Sequence, residues 1–164
     1  MKTLYIVRHA KSSWDHDGLS DFERPLNQRG HKDAPMMGTR LKHRQAVPAV
    51  IRASAANRAI TTARLIAEEL GYPLDRIEVD AGMYGAGPSD ILAIVRELPE
   101  NAEEAMLVGH NPTMQILAHR LGGFTGDNLP TCGICCIDIE AASWQEAASS
   151  TGRIRYYEYP KKPQ

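Results

Sequence analysis

The chain has almost no excess of charge. Nineteen Lys and Arg oppose twenty Asp and Glu, a formal net charge of -1 over 164 residues. That balance removes the electrostatic case for nucleic acid or an anionic membrane as a partner, so any bound anion must be held by a local cluster. No G-x-G-x-x-G follows the first apolar run and no Walker sequence occurs, which excludes the usual dinucleotide and P-loop sites. Long apolar runs are missing too. Leu4 to Val7 meets charge at Arg8, too early for a signal-peptide core or a membrane span. Cysteine is scarce and odd in number: Cys132, Cys135 and Cys136. Without a signal peptide this points to a reducing, cytoplasmic setting. In a strand Cys132 and Cys136 face one way and Cys135 the other, which splits any zinc ligand set and favours three buried small hydrophobes. A C-x5-R phosphatase loop fails because Asp138 stands six residues after Cys132. No metal or cofactor is expected. Repeats, low-complexity tracts and linkers are absent, so residues 1–164 read as one domain, long enough for a proper core.

What is present alternates between strand and helix, the pattern of an α/β fold. Leu4-Tyr5-Ile6-Val7 has no polar alternation and reads as a strand covered on both faces. Residues 13–25 form a long polar loop that could close over a substrate or merely connect. Asn27 is placed to cap a helix reaching about His43, with Ala34, Met37 and Leu41 on one face, and Pro35 is expected to kink it or delay its start. Val47–Ala53 is a second strand. Ser54 ends it and is expected to cap a helix bearing Ala59, Ala63, Ile66 and Leu70, stopped by Gly71 and Pro73. Arg76–Asp80 alternates and suits a strand near an edge. A glycine-rich loop, Gly82–Pro88, leads to a helix capped by Ser89. Ala105–Gly109 is a fourth strand, apolar throughout. Asn111 is expected at the N-cap and Pro112 at the first position of a helix ending at Gly122-Gly123. Gly133–Ile139 and Arg153–Tyr159 are late strands joined by a long turn that contains Trp144.

Three of these strands end in basic residues: Arg8-His9 on the first, Arg52 and then Arg58 from the second, His110 after the fourth. If the three run parallel, their carboxyl ends share one edge of the sheet, where open α/β sheets bind ligands. Basic groups from segments about fifty residues apart would then converge. In a chain of near-zero net charge such a cluster needs a counter-anion. Two strand ends feed helix N-termini, which add N–H donors and a positive dipole end. A phosphoryl group fits. A neutral imidazole can attack it, arginines can fork onto its oxygens, and a second imidazole, if protonated, can offset its charge.

These residues resemble the histidine phosphatase superfamily, the phosphoglycerate-mutase-like proteins. The likeness lies in Arg8-His9-Ala10, in Ser54-x-x-x-Arg58-Ala59 followed by Thr61 or Thr62, and in Gly109-His110-Asn111-Pro112. Within that superfamily the chain looks most like the small SixA-type phosphohistidine phosphatases, through Arg8-His9-Ala10-Lys11-Ser12-Ser13-Trp14, Arg24-Pro25-Leu26 and Tyr84-Gly85-Ala86. The resemblance implies a three-layer α/β/α fold with a mostly parallel sheet. It implies that His9 becomes transiently phosphorylated and that Arg8, Arg58 and His110 form the phosphate pocket. Ser12 would add a hydrogen bond, and Arg24 would add a cation if its loop folds inward or would pair with Asp21 or Glu23. It implies metal-independent chemistry and a partner that is a phosphohistidine-bearing signalling protein, such as a phosphotransfer domain. Oligomeric state is left open.

Two departures matter. Larger relatives place an Asn where Asp15 stands, so Asp15 is expected to point away from the phosphate or to pair with Lys11 or an arginine. Many relatives carry a proton-donating carboxylic acid in the loop after the third strand. Here Met83–Ser89 has none, and Asp90 stands at a helix start, where it serves the helix dipole. An alkoxide leaving group needs such an acid, whereas imidazole, with a conjugate-acid pKa of about 6.5, needs little help. The expected activity is therefore phosphohistidine hydrolysis. Alternatives are a small-molecule phosphomonoesterase on the same scaffold and a phosphate-binding module without catalysis.

Overall fold

The computed structural model describes residues 1–164. Its sheet has six strands in the order β3-β2-β4-β1-β5-β6. These are β1 (Lys2–Arg8), β2 (Val50–Ser54), β3 (Glu78–Asp80), β4 (Glu104–Gly109), β5 (Ile134–Ile139) and β6 (Gly152–Glu158). The first four are parallel, β5 is antiparallel to β1, and β6 is antiparallel to β5. The helices are α1 (Gln28–His43), α2 (Asn57–Leu70), α3 (Pro88–Arg96) and α4 (Thr113–Gly122). This is the expected three-layer α/β/α arrangement with a mostly parallel sheet.

The alternation of side chains along β1 divides the core. Tyr5 and Val7 pack with α1 and α2 through Met37, Leu41, Ala63 and Ile66. Leu4 and Ile6 pack on the other face with α3 and α4 through Ile91, Val95, Leu117 and Leu121. Strand β1 is central, so both of its faces are apolar, as its unbroken run required. Along β5 the same period puts Cys136 on the first face and Cys135 on the second; Cys132, in the turn before β5, also packs on the first face. Burial pushes the Cys135 thiol up to about 12 and Cys136 to about 11, so both stay protonated and unreactive.

Several local expectations change. Strand β2 begins at Val50 and includes Ser54, so Ser54 is not a helix cap. Ala56 holds the N-cap position of α2 without a side-chain bond. Helix α1 starts at Gln28, capped by Asn27, whose side chain accepts from the Gly30 N–H, so Pro35 does not delay it. Gly87 rather than Ser89 precedes α3. Pro112, not Asn111, holds the N-cap position of α4, yet the Asn111 side chain still accepts from the Gln115 N–H at 3.2 Å. The long turn after β5 is more than a connector. Trp144 is fully buried there, with its indole N–H donating to the Ala102 carbonyl at 2.8 Å.

This wiring makes the crevice. From β1 the chain leaves toward the α1/α2 face, and from β4 toward the α3/α4 face. The two strands are hydrogen-bonded neighbours, so their carboxyl ends flank a topological switch point, where α/β sheets open to ligands.

Candidate active site

Strands β1 and β4 pair with Arg8 opposite Gly109. The next residues, His9 and His110, therefore leave the sheet side by side. The His9 N–H donates to the Gly109 carbonyl at 3.0 Å and extends the ladder by one bond. The two imidazole centroids lie 5.3 Å apart. The Cys132 N–H, donating to the carbonyls of Arg8 and His9 at 3.0 Å, ties the same turn to the chain entering β5.

His9 is buried, and its Nδ1 lies 2.7 Å from the Ala10 carbonyl oxygen. A carbonyl can only accept, so Nδ1 carries the hydrogen and Nε2 keeps its lone pair. Thr62 braces the turn: its hydroxyl accepts from the Ala10 N–H at 2.9 Å and donates to the Arg58 carbonyl at 2.7 Å. The threonine of the second motif is thus Thr62, while Thr61 bonds only to Asn57. Burial pushes the His9 pKa down to about 3, and His110, Arg58 and Arg8 depress it further against the opposing bond to Ala10. His110 is likewise lowered, to about 4, first by burial and then by Arg58 and Arg8. Both imidazoles are neutral at pH 7. The protonated second histidine considered from the sequence is not the resting state. His110 Nε2 instead shares a 2.8 Å hydrogen bond with the Ser54 hydroxyl. Here β2 delivers the role that a cap would have taken from Ser54.

Arg58, in the first turn of α2, is buried. Its Nη1 donates to the Asp21 carbonyl at 2.6 Å and its Nη2 to Asp21 Oδ2 at 3.0 Å, while Nε has no partner. Arg8 donates through Nη1 to the Leu129 carbonyl at 3.0 Å, and its Nε too is buried without a partner. Orphaned buried N–H groups are costly and rare. Two of them, on two guanidinium groups that both act on the same pair of neutral histidines, make a cradle suited to an anion.

The long loop does fold inward. A single 3-10 turn, Asp21–Glu23, lies against the cradle. Asp21 receives hydrogen bonds from Tyr84 Oη at 2.7 Å, from Arg58, and from Arg24 Nη1 at 2.8 Å. These three donors, Tyr84 foremost, hold its carboxyl far below the usual carboxylate range. Phe22 meets the Tyr84 ring edge-on at 5.0 Å, and Tyr84 meets His110 edge-on at 5.7 Å. Arg24 is buried, bonds to the Ser12 hydroxyl and to the Ser13 carbonyl, and stacks on Trp14 at 3.3 Å. Of the two readings of Arg24 the structure shows the pairing: the loop folds inward, and the Arg24 guanidinium donates to Asp21, Ser12 and Ser13. Ser12 and Arg24 touch each other and reach the cradle through Asp21.

Other candidates lie elsewhere. Arg52 points along the sheet surface and pairs with Glu78 at 3.3 Å, so its charge does not join the cradle. Asp15 is exposed and makes no ion pair within 4.0 Å. Asp90 accepts from the Gly87 N–H at 2.9 Å and closes the start of α3. Sequence reasoning missed Ser54 as the partner of His110, and it missed Tyr84. For Asp21 a signal existed: it stands three residues before Arg24, a spacing that one helical turn closes.

Comparison with known proteins bears on the fold and the family pattern. The histidine phosphatase superfamily (branch 1) pattern matches residues 4–83, which carry Arg8, His9 and Arg58. SixA from Agrobacterium tumefaciens is similar over 97% of this chain and 98% of its own, with 25% identity and a TM-score of 0.80. The chain is thus similar to the histidine phosphatase superfamily over its first half and to SixA over nearly its whole length. That likeness indicates a phosphatase of the hydrolase class. The fold is also that of the protein histidine phosphatase SixA complexed with tungstate, at 22% identity and a TM-score of 0.81 over 96% of this chain and 97% of that one. It is shared with a mycobacterial glucosyl-3-phosphoglycerate phosphatase at 14% identity and a TM-score of 0.68, over 94% of this chain and 97% of that one. No helix is long and apolar enough to cross a membrane.

Proposed function

We propose that this protein hydrolyses phosphohistidine on a partner protein, passing the phosphoryl group through His9. The Nε2 lone pair attacks phosphorus, a new P–N bond forms, and the P–N bond to the substrate imidazole breaks. The leaving imidazole departs neutral when its other ring nitrogen carries a proton. Bond made and bond broken are of the same kind, so this half-reaction is close to thermoneutral. Arg8 and Arg58 present their Nε–H groups to the phosphoryl oxygens and stabilise the charge that spreads over them. The incoming anion also offsets the two cations that depress His110, so His110 can take up a proton and donate to the same group. Water then attacks phosphorus, its proton leaves with the phosphate, and the Nε2 lone pair returns.

One observation carries the choice of substrate. The carboxylates that sequence or structure brings near the cradle are committed: Asp90 to the Gly87 N–H, Glu23 to the Ser20 hydroxyl and Asp21 to three donors that keep it ionised, while Asp15 is exposed. None is placed as a proton donor to a departing alkoxide, and a P–N substrate does not need one. The phosphomonoester alternative rests on a cavity of about 260 Å³ beside His110, walled by Met83, Ala86 and Ile91, which could take an apolar alcohol portion.

Comparative turnover separates the two. The enzyme should hydrolyse N-phosphoryl-histidine far faster than a simple alkyl phosphate, and rapid quenching should trap an acid-labile phosphoryl group on His9. Equal turnover of the two substrates would sink the substrate reading. Label on Ser or Cys would sink the mechanism.

A further inference from the structure

A second feature shares the catalytic edge of the sheet. Strand β6 is parallel to β1 with β5 between them, so the chain leaves β6 on the same edge as Arg8 and His9. Between these exits runs an open groove of about 500 Å³. Arg8, Lys11, Arg29 and Lys161 supply its charge, Tyr157 and Tyr159 part of its wall, and no Asp or Glu lines it. Arg29 has a partner, Asp33 at 3.3 Å, but Lys11 and Lys161 have no ion-pair partner. In a chain of net charge -1, this is a local surplus of positive charge next to the phosphoryl cradle. Arg8 belongs to both.

The groove is built rather than frayed. Its far wall is the chain that follows β6, and that chain is pinned. Arg40 donates to the carbonyls of Tyr159 at 2.7 Å and Pro160 at 3.1 Å, and pairs with buried Glu158 at 3.5 Å. Lys162 Nζ donates to the Tyr157 carbonyl at 2.6 Å. The two tyrosine rings lie 5.0 Å apart and give an amphipathic wall, the kind of surface that makes rigid contact area at low entropic cost.

We propose that this groove binds an acidic segment of the phosphorylated partner, the residues flanking the phosphohistidine. Open to solvent and lined by spaced cations, it suits an extended anionic chain, and its continuity with Arg8 starts that chain at the transferred phosphoryl group. Complementary charge of this kind sets partner choice and encounter rate more than chemistry. The inference deepens the phosphohistidine reading and rests on it for the identity of the bound group.

The test uses two peptides of matched length, one with Asp and Glu around a central His and one with Asn and Gln, each with and without phosphorylation of that His. The variant is Lys11→Gln/Lys161→Gln, which removes two exposed charges and leaves Arg29 to its partner Asp33. In a binding assay by fluorescence anisotropy, the unphosphorylated acidic peptide should bind the wild type about ten-fold tighter than the neutral one. That preference should vanish in the variant and in high salt. In kinetics, the variant should lose the same preference in kcat/KM while phosphoramidate turnover stays within about two-fold. Equal binding of both peptides by the wild type, or an unchanged preference in the variant, overturns the groove. So does an oligonucleotide that binds more tightly than the acidic peptide. Acidic-peptide binding without P–N hydrolysis leaves the groove standing and refutes the substrate reading instead.

Discussion

Acid should unfold this protein partly through His9. In the folded state that imidazole is buried beside two arginines and a second histidine, and its pKa is pushed down to about 3. In the unfolded chain it returns to about 6.5. The folded pKa is the lower one, so the unfolded state binds more protons at every pH between the two values. The contribution is therefore complete above about pH 6.5 and is lost as pH falls toward about 3. At about pH 4 the unfolded state gains about 3 kcal/mol from this one group. His110, lowered to about 4, adds a smaller loss because water reaches it more easily. The assay is urea unfolding of the wild type and His9→Asn at about pH 8 and about pH 4. Carboxylates protonate alike in both proteins and cancel in the comparison. His9→Asn takes up no proton there, so its stability should fall by about 3 kcal/mol less than the wild type's. For an m value of about 2 kcal/mol/M, that is a difference of about 1.5 M in how far the midpoint moves. Parallel falls in the two midpoints would refute the claim that the site holds His9 neutral by desolvation.

Three further substitutions probe separate parts of the structure. Arg58→Lys keeps the charge but not the fork, so kcat/KM should fall by about 100-fold or more with the fold intact; near-wild-type turnover would show that Arg58 acts only as a point charge. Ser54→Ala removes the partner of His110 Nε2, and thermal unfolding should report about 1–3 kcal/mol of destabilisation together with reduced turnover. A Cβ at Gly30 would collide with the Lys11 carbonyl oxygen, where α1 presses against the turn that follows His9. Gly30→Ala should cost about 1–3 kcal/mol by overpacking and lower kcat; a neutral outcome in denaturant melts would mean that α1 can shift away freely.

Much of the architecture was legible because it depends on local pattern. The unbroken apolar runs of β1 and β4 require cover on both faces, and a strand so covered in an alternating chain is a central parallel strand. The period of two along β5 was enough to separate Cys135 from its neighbours and to set aside a metal or thiol site. Arg8, His9, Arg58 and His110 were identifiable as candidates because each follows directly from a strand end or a helix start. Their positions are fixed in number by the chain itself.

What the sequence could not decide depends on register and on where a loop comes to rest. Arg52 and Arg58 look equally available in the sequence, yet the pleat aims Arg52 at Glu78 and the first turn of α2 aims Arg58 at the cradle. Ser54 had the right residue type for a cap, but β2 runs one residue further and its hydroxyl goes to His110 across β4. Asp21 and Tyr84 lie 63 positions apart, and only folding closes them to 2.7 Å over the arginines. Local composition thus determined which groups stand at the sheet's edge. Tertiary packing decided which of them stay neutral, which N–H groups remain unpaired, and so where an anion can bind, because desolvation and hydrogen-bond competition exist only once the chain is folded.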